Sequence, residues 1–300
     1  MPKISIIIPV YNREKVLSRT LNSILNQTFK DWECLLVDDS SSDSSWSVLQ
    51  EYASKDCRFK PLHNERKKGA CGARNTGIDY SQGTYLQFFD SDDRMHDTLL
   101  EDLYNSTLDN IDVVTCWTNV VNVENDDVID RFEHITEGNI HKELLNGKTY
   151  VDTNCALIKR YVVEKIGGWS EDCPSYQEWD FHLRLSNIAS YTTLKKHLID
   201  YYVGGKDTIS KSLPRAVRGN LYLLNKFRDD YYRYEPIRYL RNCFSTYCKI
   251  NKVKESGDCD TAVELKKLYI SIMPKYILIM IKILLPVREL KKHVVRCLNR

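Results

Sequence analysis

The strongest constraint on the fold is an alternation of short unbroken apolar runs with stretches of helical period. Ile4-Ser-Ile-Ile-Ile-Pro-Val10 is β-branched and continuous, the pattern of a strand covered on both faces in a parallel sheet. Pro9, then Tyr11 and Asn12, end it. Residues 14–27 place Val16, Leu17, Leu21, Ile24 and Leu25 on one side at helical spacing. Trp32-Glu-Cys-Leu-Leu-Val37 is a second strand, closed by Asp38 and Asp39. Ser40 to Asp43 then supply turn and N-cap residues for a helix over 47–53. This β-α-β-α order predicts an α/β fold with an open, mostly parallel sheet and right-handed crossovers. Ligands of such sheets bind beyond the carboxyl ends of the strands, near a switch point. Tyr11, Asp38 and Asp39 all fall at that edge.

A third aromatic run, Tyr85-Leu-Gln-Phe-Phe89, ends in Asp90-Ser91-Asp92-Asp93, three acids within four residues. Like charges this close resist ionisation unless a cation joins them. Hard carboxylate oxygens suit Mg²⁺ or Mn²⁺, whose open positions substrate phosphates can fill. Asp and Ser are equally ordinary in a solvated turn, so the run alone leaves both readings open. Gly69-Ala-Cys-Gly-Ala-Arg-Asn-Thr-Gly77 reads as a loop entering a helix. Its spacing matches neither Gly-x-Gly-x-x-Gly nor a phosphate-binding Gly-x-x-x-x-Gly-Lys-Ser/Thr loop. Arg74 there is suited to a diphosphate or to an acid of the cluster.

Further on, residues 95–108 read as a helix, 113–123 as an extended strand and 125–127 as its turn. Residues 152–159 form another apolar segment, and Gly167-Gly168 breaks the chain. Glu178, Phe181 and Leu185 follow at i, i+3 and i+7, which puts an acid in the first turn of a packed helix. Such an acid answers the helix dipole or serves as a general base. From residue 213 the chain turns to Tyr, Lys, Arg and Leu at helical spacing, and Tyr231 to Tyr234 suit helix packing better than base stacking. We therefore expect two regions, 1–212 and 213–300. Residues 276–285 are apolar but too short to span a bilayer. Residues 271–300 carry seven basic side chains against Glu289 alone, the composition of a membrane-surface or partner-binding helix, or of a docked helix with a wet basic face.

A formal charge of +2, from 43 basic and 41 acidic residues, excludes a general nucleic-acid binder. The ten cysteines show no Cys-x-x-Cys and no zinc spacing, so scattered thiols in a reducing cytosol are expected. The apolar run at 4–10 reads as a strand rather than a signal peptide.

The ordered set Ser5-Ile-Ile-Ile-Pro-Val-Tyr-Asn12, Val37-Asp-Asp39 with Ser42-Asp43, Ala73-Arg-Asn-Thr-Gly77, Phe89-Asp-Ser-Asp-Asp93, Gly167-Gly168 and Gln177-Glu-Trp-Asp-Phe-His-Leu-Arg184 resembles the family 2 inverting glycosyltransferases with the GT-A fold, over residues 4–210. The resemblance implies that Tyr11 stacks on a nucleotide base and Asp39 accepts its imide N–H. Pro9, Asp38, Arg74, Asp90 and Ser91 would complete the nucleotide site. Asp90, Asp92 and Asp93 would supply the metal end, holding Mn²⁺ or Mg²⁺. Glu178 would be the catalytic base, with Asp180 second to it, and Trp179 would meet the acceptor. A single displacement then inverts an α-linked donor, a UDP-sugar first and a dTDP- or GDP-sugar next. The acceptor would be a saccharide or a polyprenyl-diphosphate-linked sugar of surface polysaccharide, at the inner face of the cytoplasmic membrane. The chain departs from the family pattern at Gly205, where many relatives have a His near the metal or diphosphate. Lys206 and His197 are the substitutes at hand. A nucleotide-sugar-binding scaffold and a polyprenyl-phosphate glycosyltransferase are the alternatives.

Overall fold

The computed structural model describes residues 1–204 and 212–284. In chain order it contains β1 (Ile4–Val10), α1 (Leu17–Leu25), β2 (Trp32–Asp38), α2 (Ser45–Lys55), β3 (Phe59–His63), α3 (Ala70–Tyr80), β4 (Tyr85–Phe88), β5 (Arg94–Met95), α4 (Leu99–Asn105), β6 (Val113–Asn122) and β7 (Val128–Phe132). Next come α5 (His141–Asn146), a 3-10 turn (Thr153–Cys155), β8 (Ala156–Lys159), α6 (Arg160–Lys165), α7 (Gln177–Leu185) and β9 (Tyr191–Val203). Five helices follow: α8 (Leu213–Lys226), α9 (Arg228–Tyr234), α10 (Pro236–Glu255), α11 (Cys259–Ile272) and α12 (Lys275–Leu284).

The strands form one sheet in the order β3-β2-β1-β4-β8-β6-β9-β5, with β7 paired to β6. β3, β2, β1 and β4 are parallel, and β1 lies between β2 and β4 with Val10 level with Asp38 and Ile7 level with Phe88. Ile4, Ile6, Ile7 and Ile8 are wholly buried, as their unbroken run requires. Beyond β4 the sheet departs from the expected parallel order. β8 runs antiparallel to β4 and β6, β5 antiparallel to β9, and β7 returns on β6 after a tight turn. A hairpin return needs only a few residues, whereas a parallel one needs a crossover of a dozen or more, and the 122–127 turn is too short for a crossover. β3 escapes a periodicity reading because Pro61 lies within it. It is the outermost strand on that side, the place where a sheet tolerates proline. The expected helix over 95–108 splits into β5 and α4.

Two compact units emerge. The larger holds the sheet and its helices. The smaller holds α8 to α12 together with Leu145–Lys148 and Asp172–Asp180, segments that lie inside the region expected to form the first domain. In the smaller unit Tyr239, Tyr269, Cys243 and Leu265 form the core. Tyr231 and Tyr232 pack on Tyr239 with ring centroids 5.7 and 5.0 Å away, so the Tyr-rich run is a packing element.

Candidate active site

Three adjacent parallel strands, β2, β1 and β4, release their chains at one edge, and the candidate residues of the larger unit collect there. Tyr11 follows β1 and is 44% exposed, with the Lys68 ammonium 4.8 Å from its ring centre. Asn12 adopts φ 52°, and its amide oxygen takes the Ser42 N–H at 2.8 Å while its own N–H donates to the Ser41 hydroxyl at 3.0 Å. Those bonds tie the loop after β1 to the loop after β2. Pro9 sits within β1 beside Val37.

Asp38 and Asp39 differ in role. Asp38 is buried and accepts the Ser41 N–H, closing the loop after its own strand. Asp39 accepts from Asn64 Nδ2 at 2.6 Å and from the Gly69 N–H at 2.8 Å. Each of its oxygens retains a second lone pair for a ligand donor. Asn64 escapes the sequence reading, yet it joins Asp39, Thr76 (2.9 Å) and the Arg66 N–H (2.9 Å) in one network. A lone Asn after an edge strand carries no sequence signal of its own.

The Arg74 to Gly77 motif resolves residue by residue. Arg74 is 3% exposed. It donates to Asp90 Oδ1 at 2.8 Å and lies 4.5 Å above the Trp169 ring. Its expected bond to an acid of the cluster is thus present. Asn75 holds the turn at Gly167-Gly168 by accepting the Trp169 N–H (2.8 Å) and donating to the Trp169 carbonyl (2.9 Å). Gly168, at φ 71°, leaves no space for a Cβ, which would lie 2.6 Å from Asn75 Oδ1. Thr76 bonds Asn64, and Gly77 lets α3 lie against β1.

The acids after β4 do not converge as a set of three. Asp90 points to Arg74. Asp92, 44% exposed, faces Arg13 across 3.5 Å. Asp93 turns inward and is 1% exposed; its two oxygens take the Tyr202 N–H at 2.9 Å and Asn154 Nδ2 at 2.6 Å. Asp93 thus braces the loop from within, each of its oxygens taking one bond from the interior and keeping a second lone pair. Among the described residues no three His, Cys, Asp or Glu side chains are grouped to hold a metal. Burial, then the charge on Asp90, pushes the Asp92 carboxyl above the usual range, against the pull of Arg13 and Arg19. Asp90 and Asp92 are the carboxylates of this loop that could hold a divalent cation, with the remaining ligands supplied by phosphate and water. Ser91 is buried within the same loop. The Arg19 guanidinium stacks 3.5 Å over the Tyr202 ring and donates to the Asp92 carbonyl.

Gly205 and Lys206 lie outside the described residues. His197 is not a substitute for the missing His. It packs against Trp117 and approaches Glu133 Oε1 at 3.1 Å. It also lies five residues before Tyr202, about 16 Å along an extended strand.

Gln177, Glu178, Trp179 and Asp180 begin α7 within the smaller unit. Glu178 and Trp179 are half-buried. Asp180, the expected second to Glu178, is wholly buried, and Lys226 Nζ sits 2.5 Å from its Oδ1. Farther along α7, Phe181 stacks on Trp169 at 4.2 Å and meets Phe88 of β4 edge-on.

The described cysteines are all free thiols. Among the described residues no helix is long and apolar enough to cross a membrane.

The Glycosyl transferase family 2 model matches residues 5–167. A 90-residue stretch is 47% identical to the UDP-Glc:alpha-D-GlcNAc-diphosphoundecaprenol beta-1,3-glucosyltransferase WfgD of Escherichia coli, covering 30% of this chain and 35% of that protein. Another, of 109 residues, is 42% identical to the poly(ribitol-phosphate) beta-N-acetylglucosaminyltransferase TarP of Staphylococcus aureus, covering 35% and 33%. These matches span about a third of each relative's length. Among solved structures, S. aureus TarS 1-349 in complex with UDP-GlcNAc superposes with a TM-score of 0.60 at 17% identity, over 90% of this chain and 92% of that one. The mannosyltransferase PcManGT of Pyrobaculum calidifontis in complex with GDP-Man and Mn²⁺ gives 0.57 at 16% identity, over 93% and 83%. The likeness establishes a GT-A type α/β fold with a helical C-terminal part, and with the family match spanning more than half of its residues, the chain belongs to glycosyl transferase family 2.

Proposed function

We propose that this chain transfers a sugar from a nucleotide diphosphate, UDP first, to a hydroxyl of a saccharide or polyprenyl-diphosphate-linked acceptor, inverting the anomeric centre. One observation carries the reading: the Asp90–Asp92 loop leaves β4 at the edge where Tyr11 leaves β1 and Asp39 leaves β2. A nucleotide laid across that edge has its base toward Tyr11 and Asp39 and its diphosphate toward Asp90 and Asp92. The E. coli relative is named for UDP-glucose, and the TarS neighbour holds UDP-GlcNAc, which favours uracil. The β linkages named for both curated relatives are what one displacement on an α-linked donor gives.

The chain's own residues divide the work. Tyr11 stacks on the base, and Asp39 accepts its imide N–H with the lone pairs left by Asn64 and Gly69. Arg74 holds Asp90 in place. Asp90 and Asp92 would hold Mn²⁺ or Mg²⁺, which supplies Lewis-acid stabilisation of the charge that develops on the departing diphosphate. Glu178 takes the proton of the attacking hydroxyl, a contribution of about 10²–10⁴ in rate. It is preferred to Asp180 because it is half-buried, whereas Asp180 is wholly buried. Trp179 is assigned to the acceptor. Exposed Tyr276 and Ile279 on α12, with the basic side chains of the tail, support peripheral contact with an anionic membrane.

The test is calorimetry of UDP, GDP and dTDP, each with and without Mn²⁺, on wild type and Asp92→Ala. Tight binding of one diphosphate that needs both Mn²⁺ and Asp92 is expected, with weaker metal-free binding through the base end. Binding indifferent to both would overturn the site.

A further inference from the structure

The acid loop after β4 is clamped by one side chain that does not reach its surface. Asn154 lies in the 3-10 turn before β8 and is wholly buried. Its Oδ1 accepts the Asp90 N–H at 2.7 Å, and its Nδ2 donates to Asp93 Oδ2 at 2.6 Å. Both ends of the four-residue loop are thus held by one planar amide, with Asp92 on the stretch between them. The amide orientation follows from its partners: a backbone N–H requires the oxygen, and a carboxylate requires the nitrogen.

The clamp is itself anchored. The Asn154 N–H donates to Asp152 Oδ1 at 2.9 Å, and its carbonyl accepts from Gln87 Nε2 at 2.5 Å. Gln87 is a wholly buried polar residue in the middle of β4, and this bond gives it a purpose. Asp93, at the far end, reaches Tyr202 of β9 through its other oxygen. A continuous chain, Gln87–Asn154–Asp93–Tyr202, whose first three residues are buried, therefore links β4 to β9 through the loop that carries Asp90 and Asp92.

From this geometry we infer that Asn154 is the positioning residue of the cation–diphosphate site, setting where Asp90 and Asp92 stand without touching ligand. The inference rests on the nucleotide-site reading above. Only an amide of this length presents an acceptor and a donor to the two ends at once. Asp in its place sets two carboxylates against each other, Ala removes both bonds, and Gln is one methylene too long. Ligand groups must be held to within about 0.5 Å for productive geometry, and loss of such outer partners costs about 10–100-fold in metal affinity.

The experiment measures UDP binding by calorimetry with and without Mn²⁺ for wild type, N154A, N154D and the double variant N154D/D93N, with circular dichroism as a check on the fold. The double variant exchanges amide and carboxylate, so it restores every bond of the clamp with the donor reversed. The expected result is a loss of Mn²⁺-dependent UDP affinity of about 10-fold or more in N154D and N154A. Metal-free UDP binding should stay within about twofold, because the base end at Tyr11 and Asp39 is untouched, and the double variant should recover most of the loss. If N154A does not fold, the comparison of N154D with the double variant still decides. Equal loss with and without metal, no loss, or no recovery in the double variant would overturn the inference. Failure of wild-type protein to bind UDP with or without Mn²⁺ would remove the nucleotide-site reading first and this inference with it.

Discussion

Gly77→Ala tests how closely α3 must approach β1 for the site to form. Gly77 is buried in α3, and a Cβ there would lie 2.4 Å from Ile7 Cγ2 and 3.3 Å from Cγ1. Ordinary contact begins near 3.4 Å, so one neighbour must yield by about 1 Å in a close-packed interior. Ile7 is wholly buried and pairs with Leu35 and Phe88 on its two sides, so it has nowhere to go, and the helix must shift. Overpacking of this kind costs about 1–3 kcal/mol, while replacing a helical Gly by Ala returns about 1 kcal/mol. The net is a loss of about 1 kcal/mol. With m near 2–3 kcal/mol per M, that lowers the urea midpoint by about 0.4 M at unchanged m. Tryptophan fluorescence of the larger unit, which contains Trp169, reports the transition. Ile7→Ala alone costs about 2–5 kcal/mol, and the double variant should cost at least about 1 kcal/mol less than the sum of the singles, because each change relieves the other. A Gly77→Ala protein as stable as wild type, or strict additivity, would refute the claim that this glycine is there for close approach.

Three further outcomes follow from the structure. Lys226→Met leaves the wholly buried Asp180 without its ammonium. A fully buried pair would cost about 3–5 kcal/mol, and because Lys226 is about one-third exposed we expect about 2–3 kcal/mol by denaturant unfolding of the smaller unit. Asp92, pushed upward by burial and then by Asp90, makes metal-free protein more stable when protonated, and that increment is lost as the pH rises through its folded pKa. Mn²⁺ should reverse the trend, stabilising more as the pH rises through that range; a Mn²⁺ effect on thermal unfolding that is flat with pH, or unchanged in Asp92→Asn, argues against a cation there. Glu33 has the opposite sign. Burial pushes it up, but Lys60, Ser5 and the Gln82 N–H outweigh that and hold it below the usual range. Its stabilisation is present above the unfolded pKa and lost as the pH falls through the folded one. Ser5→Ala should therefore move the acid-unfolding midpoint to higher pH, and no movement would mean that the Ser5 hydroxyl does not bear on Glu33.

Much of the site was legible because its residues follow strands whose character is local. Val10, Asp38 and Phe88 end runs with a clear β pattern, and that pattern alone puts Tyr11, Asp39 and Asp90 at one edge. Asn64, Asn154 and Gln87 were not legible. Each matters through partners between 12 and 67 residues away, and single polar residues at such separations leave no period or spacing. The neighbours of His197 and Asp180 were illegible for the same reason: Trp117 and Glu133 for one and Lys226 for the other come from distant parts of the chain.

The sequence by itself determined the β-α-β-α opening, the sheet edge at which the candidate residues gather, the helical character of the C-terminal part and the family. These depend on hydrophobic period and turn chemistry, which act over a few residues. Only the tertiary structure decided that strand direction mixes beyond β4, that 172–180 packs with the C-terminal helices, and that Asp93 faces inward while Asp92 faces out. Neighbouring carboxylates in one loop have identical local chemistry. What separates them is which one meets Asn154 and the Tyr202 N–H in the interior, and those partners come from other strands.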